Sequence, residues 1–233
     1  MSDIYMIRHG QASFSSENYD RLSSLGCLQS EILGEYLNHI GILFDAIYSG
    51  SLERQQHTAE RVLERTPADA RCDLRIRPGL DEYDAKGIVE SQVPAMIRDD
   101  PKLALDLERF KERRSFQRIF EGAMRRWLSG RYDAEGVESW KVFRDRVQGA
   151  VNRIMMENGR GKTIAIFTSG GPICITAQMA LGITEDTAIQ LNWQLRNTSV
   201  SVFKYNDRGI FLNSYNSLNH LLDRKDSALL TYR

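Results

Sequence analysis

The stretch Ile4-Tyr5-Met6-Ile7-Arg8-His9-Gly10-Gln11 runs from four strand-forming residues directly into an arginine, a histidine and a glycine. A short apolar run bounded by a glycine is typical of a buried β-strand. Ligands of open α/β sheets collect at the carboxyl ends of parallel strands. We therefore expect Arg8 and His9 to lie at such a strand end.

Four further runs have the length and composition of strands: Ala46 to Ser49, Ile164 to Thr168, Val200 to Tyr205 and Ile210 to Tyr215. The turn-forming residues 206–209 separate the last two, which predicts an antiparallel hairpin at one sheet edge. Helical spacing of apolar residues predicts crossover helices at Ser23 to Leu37, Arg54 to Arg65, Phe143 to Met156 and Pro172 to Leu181. The predicted fold is a three-layer α/β/α sandwich with a mostly parallel sheet and an antiparallel edge hairpin.

The segment from about residue 84 to residue 140 lacks a strand pattern. Its apolar residues recur at helical spacing between Phe116 and Trp127, which predicts a helical insertion. The chain also lacks a repeat, a low-complexity tract or a Pro/Gly/Ser-rich linker. We expect a single domain over residues 1–233 that carries this insertion.

Charge and composition argue against several classes of partner. Lys plus Arg number 31 and Asp plus Glu number 31, so no overall field attracts nucleic acid or an anionic membrane. No apolar run approaches membrane-spanning length, and the start of the chain lacks a signal-peptide pattern. Three widely spaced cysteines disfavour a disulfide framework or a zinc site. We expect no metal or other cofactor and a cytoplasmic location, and the sequence leaves the oligomeric state open.

Three predicted strands end in residues suited to a phosphate group. Arg8 and His9 follow the first strand, Arg54 follows the second by five residues, and the turn Ser169-Gly170-Gly171-Pro172 follows the third and opens a helix. Backbone N–H groups at a helix start bind anions, and guanidinium groups stabilise the charge of a phosphoryl group in transfer. A histidine nitrogen can attack phosphorus directly, without a metal. We expect His9 to be the nucleophile.

A leaving oxygen needs a proton, and the carboxyl groups nearest the start of the insertion are the candidates for its donor. Glu82, in Leu80-Asp81-Glu82-Tyr83, is the best placed of them. Asp81 and Asp84 remain alternatives.

These motifs together resemble the histidine phosphatase superfamily, in its phosphoglycerate mutase-like branch. Residues 7–10 are similar to its opening motif, Leu22 to Gln29 to the start of its first helix, and Ser49 to Ala59 to its second strand-end motif. Asn197 to Ser199 and Asn216 to Leu221 resemble its closing segments, so the resemblance spans nearly the whole chain. It implies a phosphorylated His9, phosphate ligands at Arg8 and Arg54, and a proton donor at Glu82.

The chain departs from the family pattern at the end of the central strand. The family usually has a Ser/Thr-His-Gly run there, whereas this chain has Thr168-Ser169-Gly170. A serine hydroxyl donates one hydrogen bond but carries no charge, and losing one oriented donor costs on the order of a hundredfold to a thousandfold in rate. Ser15 stands near the place of a family asparagine, and His57 could supply another imidazole. We predict a phosphohydrolase of reduced activity, with Ser169, Gly170 and Ser15 as further phosphate contacts.

Other functions stay open on the sequence alone. A regulatory protein could keep the phosphate pocket with little turnover, and a phosphoglycerate mutase is less consistent with the neutral Ser169. A serine hydrolase would combine Ser169 with Asp186 or Asp207 and His220, although Phe167 stands where a nucleophile elbow has glycine. The expected partner is a small phosphorylated substrate whose identity the sequence does not give.

Overall fold

A computed structural model of the chain describes residues 1–13, 20–67 and 72–232. Within these residues one mixed sheet has six strands: β1 (Ser2–Arg8), β2 (Ala46–Ser49), β3 (Leu74–Ile76), β4 (Thr163–Thr168), β5 (Val200–Asn206) and β6 (Gly209–Ser217). Their order across the sheet is β3-β2-β4-β1-β5-β6. The ends of β1 and β4 therefore lie side by side in its interior.

The strand directions confirm the predicted mixed sheet. β4 pairs in parallel with both β1 and β2, and β2 pairs in parallel with β3. β5 is antiparallel to β1 and to β6, which forms the edge hairpin. Gly209 begins β6 with a φ of 134°, a conformation that a residue with a Cβ rarely adopts. β3 was not predicted from the sequence, because three residues with an arginine in the middle show no recognisable period.

Helices flank this sheet, and the predicted crossover helices are among them. The helices of the described residues are α1 (Ser24–His39), α2 (Glu53–Glu64), α3 (Ala85–Asp99), α4 (Leu103–Glu108), α5 (Arg113–Leu128), α6 (Trp140–Asn158), α7 (Gly170–Leu181), α8 (Glu185–Gln194) and α9 (Asn219–Leu222). α8, which the sequence analysis did not predict, is capped by the Thr184 hydroxyl. In the described part of the chain, no helix is long and apolar enough to cross a membrane.

One hydrophobic core cluster lies where α1 and α2 cover the sheet. Ile7 of β1, Ile47 of β2 and Phe167 of β4 pack there with Leu33 of α1 and Val62 of α2. These side chains are almost completely buried, and burying a side chain of this size contributes roughly 1.5–3 kcal/mol. β2 and β4 are buried along almost their whole length, as expected of strands that are covered on both faces.

The chain divides into two compact units. One consists of residues 1–82 and 146–233 and contains the sheet. The other, Tyr83–Asp145, contains α3, α4 and α5, with Tyr83, Trp127 and Phe143 in mutual ring contact. This second unit corresponds to the predicted helical insertion, and the single-domain organisation stays a prediction.

Candidate active site

The backbone of His9 is held on both sides at the carboxyl end of β1. Its N–H donates to the Thr168 carbonyl oxygen over 2.8 Å. Its own carbonyl oxygen accepts from Asn197 Nδ2 over 3.1 Å and from the Thr198 N–H over 3.3 Å. The end of β4 and the segment before β5 therefore fix the histidine. Asn197 belongs to one of the segments that resemble the family, but the sequence alone predicted no role for it.

Glycines let the loop after His9 pack directly on the start of α1. A Cβ on Gly10 would lie 2.5 Å from the Gly26 carbonyl oxygen, and one on Gly26 would lie 2.2 Å from the Gln11 carbonyl oxygen. Gln29 Oε1 accepts from the Gln11 N–H over 2.9 Å. This contact explains why a glycine and a glutamine stand at these positions of the first helix. Thr58 completes the support, because its hydroxyl oxygen accepts from the Gly10 N–H over 3.0 Å.

The ring of His9 is held as a neutral imidazole. Nδ1 lies 2.7 Å from the Gly10 carbonyl oxygen, which can only accept, so Nδ1 carries the hydrogen. Nε2 accepts from Arg54 Nε over 3.2 Å. Burial of the ring, followed by the charges of Arg54 and Arg8, holds the pKa of His9 well below its ordinary value of 6.5. The Nε2 lone pair is therefore unprotonated at neutral pH, as a nucleophile requires.

Arg54 is buried beside this ring at the start of α2, with 9% of its surface exposed. Besides the contact with His9, its Nη1 donates to Asp20 Oδ1 over 2.5 Å. The other oxygen of Asp20 accepts from the Glu53 N–H, the first residue of α2, over 2.8 Å. Asp20 thus anchors the helix start and orients the guanidinium group. No motif in the sequence pointed to Asp20.

Arg8 lies at the end of β1, where its Nη1 donates to the Leu195 carbonyl oxygen over 2.5 Å. Its charge is close enough to lower the pKa of His9. The charges of both Arg8 and Arg54 therefore act on the one neutral histidine.

Ser169 is completely buried at the end of β4. Its Oγ accepts from Gln55 Nε2 over 2.8 Å, and Gln55 is the residue after Arg54 on α2. Gln55 was not predicted as a site residue, because a glutamine within a helix has no distinctive sequence pattern. The His220 Nε2 atom pairs instead with Thr198 Oγ1 over 3.0 Å, so the described contacts do not form the Ser169–His220 pair of a serine hydrolase.

The three candidate proton donors have different contacts. Both carboxylate oxygens of Glu82 accept from the Gly171 N–H, over 3.1 and 3.2 Å, at the start of α7. Asp81 accepts instead from the backbone and hydroxyl of Ser51. Asp84 caps α3 by accepting from the Gly87 N–H over 3.0 Å. Of the three, Glu82 is the carboxyl group at the end of the central strands.

Arg146 on α6 holds the backbone of the segment that carries Glu82. Its guanidinium group donates to the carbonyl oxygens of Gly79, Asp81 and Glu82, over 3.2, 2.9 and 3.4 Å. Arg146 was not predicted from the sequence, because it lies 64 residues from Glu82.

The remaining predicted contacts have mixed outcomes. Gly170 is the first residue of α7, and a Cβ there would meet Asn192 Oδ1 at 1.9 Å, so close packing on α8 requires the glycine. His57 faces outward, with a 43% exposed side chain 3.8 Å from Glu53. Ser15 lies outside the described residues. No group of three or more His, Cys, Asp and Glu side chains that could hold a metal occurs in the described ranges.

The site therefore combines a buried neutral histidine at the end of a parallel strand with the charges of Arg54 and Arg8. The family model for the histidine phosphatase superfamily (branch 1) matches residues 4–115 and 106–218. The chain therefore belongs to this superfamily, whose branch includes the phosphoglycerate mutase-like proteins.

Known proteins share this fold at low sequence identity. A phosphoglycerate mutase from Bacillus anthracis str. Sterne superposes with a TM-score of 0.67 at 18% identity, over 97% of each chain. A phosphoserine phosphatase mutant from Entamoeba histolytica, in complex with phosphoserine, superposes with a TM-score of 0.64 at 18% identity, over 95% of this chain and all of the other (100%). The Ubiquitin-associated and SH3 domain-containing protein B of Mus musculus is 28% identical over 100 residues, which is 42% of this chain and only 16% of that protein.

Proposed function

We propose that the protein is a metal-independent phosphomonoesterase that works through a phosphohistidine at His9. One observation carries the proposal: Nδ1 of His9 faces the Gly10 carbonyl oxygen at 2.7 Å, while Nε2 faces the Arg54 guanidinium group at 3.2 Å. The first contact fixes the tautomer, and the second directs the lone pair toward a cation that binds phosphoryl oxygens. A tautomer with the hydrogen on Nε2 could not accept this hydrogen bond.

The reaction has two displacements. His9 Nε2 forms a bond to phosphorus while the ester P–O bond breaks, and Glu82 gives a proton to the departing oxygen. Water then attacks the phosphohistidine, the N–P bond breaks, and the Glu82 carboxylate takes a proton from this water. Arg8 and Arg54 stabilise the charge on the phosphoryl oxygens in both steps.

We further infer that Ser169 stands in the position of the superfamily's second histidine. Its place after β4, directly before Gly170, supports this alignment. Because a hydroxyl carries no positive charge, we expect slower turnover than in a phosphatase with two histidines.

The substrate we propose is a small phosphate monoester. Fold relatives from Entamoeba histolytica contain phosphoserine in one structure and 3-phosphoglyceric acid in another. A mutase is a weaker proposal, because retaining and reorienting a diphosphate favours a more cationic pocket than one with Ser169. A coupled assay for phosphoglycerate isomerisation tests that alternative.

The deciding experiment measures hydrolysis of 4-nitrophenyl phosphate in the presence of a chelator. His9→Ala should remove turnover, and rapid acid-free quenching of the unchanged protein with labelled substrate should trap a phosphohistidine. His57→Ala is the matched control, since this histidine is 43% exposed and pairs with Glu53. Equal rates in His9→Ala and the unchanged protein would exclude His9 as the nucleophile.

A second candidate is a phosphate-ester-binding regulatory protein with little turnover. The neutral Ser169 and the contact of Asp20 with Arg54, 2.5 Å long, favour it, because both reduce the positive character of the site. Calorimetric titration with phosphoserine separates the two functions. Binding that Arg54→Ala weakens, in a protein whose hydrolysis stays at background, would support the regulatory protein.

A further inference from the structure

We propose that Gln55 and Ser169 act together as one neutral hydrogen-bond donor to the phosphoryl group. In this pair Ser169 touches the substrate, and Gln55 is a positioning residue that turns the Ser169 hydroxyl proton toward it. The inference rests on the proposed function, and it adds Gln55, which no motif of the sequence assigned.

The first turn of α2 brings the side chains of two consecutive residues to the ends of two different strands. Arg54 Nε reaches His9 Nε2 at the end of β1, over 3.2 Å. Gln55 Nε2 reaches Ser169 Oγ at the end of β4, over 2.8 Å. One helical turn therefore orients both the nucleophile and the serine beside it.

A second contact fixes which end of the Gln55 amide faces Ser169. Nε2 also lies 3.4 Å from the Leu80 carbonyl oxygen, which can only accept. Reversing the amide would bring two carbonyl oxygens together, so the nitrogen end must face this region. Ser169 Oγ is therefore the acceptor of the Gln55 hydrogen bond. Its own proton remains available for another acceptor.

The pair is buried in a way that packing alone does not favour. Gln55 and Ser169 are both completely buried. Gln55 Oε1 has no hydrogen-bond partner among the described residues, and a Cβ on Gly50 would lie only 1.9 Å from it. Leaving a buried amide oxygen unpaired is unfavourable, so stability alone would select an apolar side chain of similar size. This unfavourable burial supports a role for the amide N–H group at the site.

The chemistry of the pair suits a developing negative charge. A hydroxyl that accepts a hydrogen bond becomes a better donor, because hydrogen bonds in a chain polarise one another. The pair keeps its donor at every pH at which the protein is folded, whereas an imidazolium loses its charge. The Gln55 side chain also fills the space beside Ser169, because its Nε2 lies 2.8 Å from Oγ. For this reason Ser169→His alone should not raise activity.

A double-mutant cycle tests the proposal on the full chain with 4-nitrophenyl phosphate. Ser169→Ala should lower kcat/KM about a hundredfold and Gln55→Leu about tenfold, mainly through kcat. The double variant should be no slower than Ser169→Ala, because the glutamine acts only through the serine. Gln56→Leu, a neighbouring glutamine that donates to the Ser51 carbonyl oxygen over 2.7 Å, is the control and should stay within about twofold. Losses that multiply to about a thousandfold, or an unchanged Gln55→Leu, would overturn the proposal.

Gln55→Glu provides a second test of the proposal if Gln55→Leu folds poorly. A carboxylate would accept from Ser169 and turn its proton away from the substrate, whereas the protonated acid can still donate. Burial at this position raises the pKa of a carboxyl group above its ordinary value of about 4.3, so activity relative to the unchanged protein should rise as the pH falls between about 8 and 5. A constant ratio over this range overturns the proposal.

Failure of the inference and failure of the proposed function give different results. Turnover that survives His9→Ala overturns both. Turnover that requires His9 but is unaffected by Gln55→Leu and Gln55→Glu overturns the Gln55 role alone.

Discussion

Two buried histidines, His9 at the end of β1 and His220 in α9, use opposite ring nitrogens as donors. His9 donates from Nδ1 to the Gly10 carbonyl oxygen and accepts at Nε2 from Arg54. His220 Nε2 lies 3.0 Å from the Thr198 hydroxyl oxygen, whose single proton is donated to the Asn197 carbonyl oxygen over 2.8 Å. Nε2 of His220 must therefore carry its hydrogen.

The two rings also differ in what makes them neutral. Burial alone lowers the pKa of His220 to about 4. Burial together with Arg54 and Arg8 lowers the pKa of His9. A buried histidine without a cation nearby is a packed side chain, whereas one whose bare nitrogen faces a guanidinium group can attack an anionic phosphate. Burial therefore does not distinguish a nucleophile from a structural residue, but the charged neighbour does.

Replacing each of the two histidines with glutamine should give the largest difference in kcat. His9→Gln removes the nucleophile and should lower kcat on the order of ten-thousandfold or more. His220→Gln keeps an N–H that can donate to Thr198, so kcat should stay within about threefold. Steady-state kinetics below the unfolding temperature measures both. Similar losses in the two variants would mean that burial, and not the arginine contact, decides the role.

Arg54→Ala should make the surroundings of His9 resemble those of His220. Because it removes a donor to the phosphoryl oxygens, kcat/KM should fall about a hundredfold to a thousandfold. The pKa of His9 should rise, since the Arg54 charge is one of the causes that lower it. NMR titration of the imidazole protons measures this shift.

Arg61→Ala is the matched control, because this exposed arginine of the same helix pairs with Glu64 and Glu31. It should leave the rate and the His9 titration unchanged. A His9 pKa that does not move in Arg54→Ala would contradict the assigned contact.

Glu82→Gln tests whether Glu82 is the carboxyl group that protonates the leaving oxygen. We expect kcat to fall about a hundredfold with an alkyl phosphate and much less with 4-nitrophenyl phosphate, whose leaving group hardly needs a proton. Asp84→Asn should change neither rate, since Asp84 accepts from the Gly87 N–H within α3. If both variants lost activity equally and with both substrates, the proton-donor role of Glu82 would be wrong.

From the sequence alone, the parts of this site that consist of residues close together along the chain could be predicted. The apolar run before Arg8-His9-Gly10 indicated β1, and the spacing to Arg54 indicated the second strand end. The turn residues before Gly209 indicated the edge hairpin. Each of these depends on neighbours along the chain, which periodicity and turn chemistry describe.

Contacts between distant parts of the chain could not be predicted in the same way. Gln55 meets Ser169 across 114 positions, and Arg146 meets the Glu82 carbonyl oxygen across 64. Asp20 meets Arg54 across 34 positions, next to residues outside the described range. A glutamine or an aspartate in such positions has no local signature, so only the assembled sheet shows its partner.

The smallest expected effect is on the pH dependence of stability, in which the two histidines are compared as groups that bind protons. In the unfolded chain His220 has its ordinary pKa of 6.5, whereas in the folded protein its pKa is about 4. Between these values the unfolded state holds more protons, so stability decreases as the pH falls from about 6.5 toward 4. From pH 7 to pH 5 the loss attributable to His220 is about 2 kcal/mol.

Urea unfolding of the unchanged protein and of His220→Gln, at about pH 7 and pH 5, isolates this contribution, because glutamine does not titrate. The unchanged protein should lose about 2 kcal/mol more than the variant between the two pH values. The decrease that remains in the variant includes that of His9, whose pKa is also lowered. If phosphate binds beside His9, adding it at concentrations that occupy the site should reduce the decrease that remains in the variant. The difference that His220 causes should persist, because burial is what lowers the pKa of that ring.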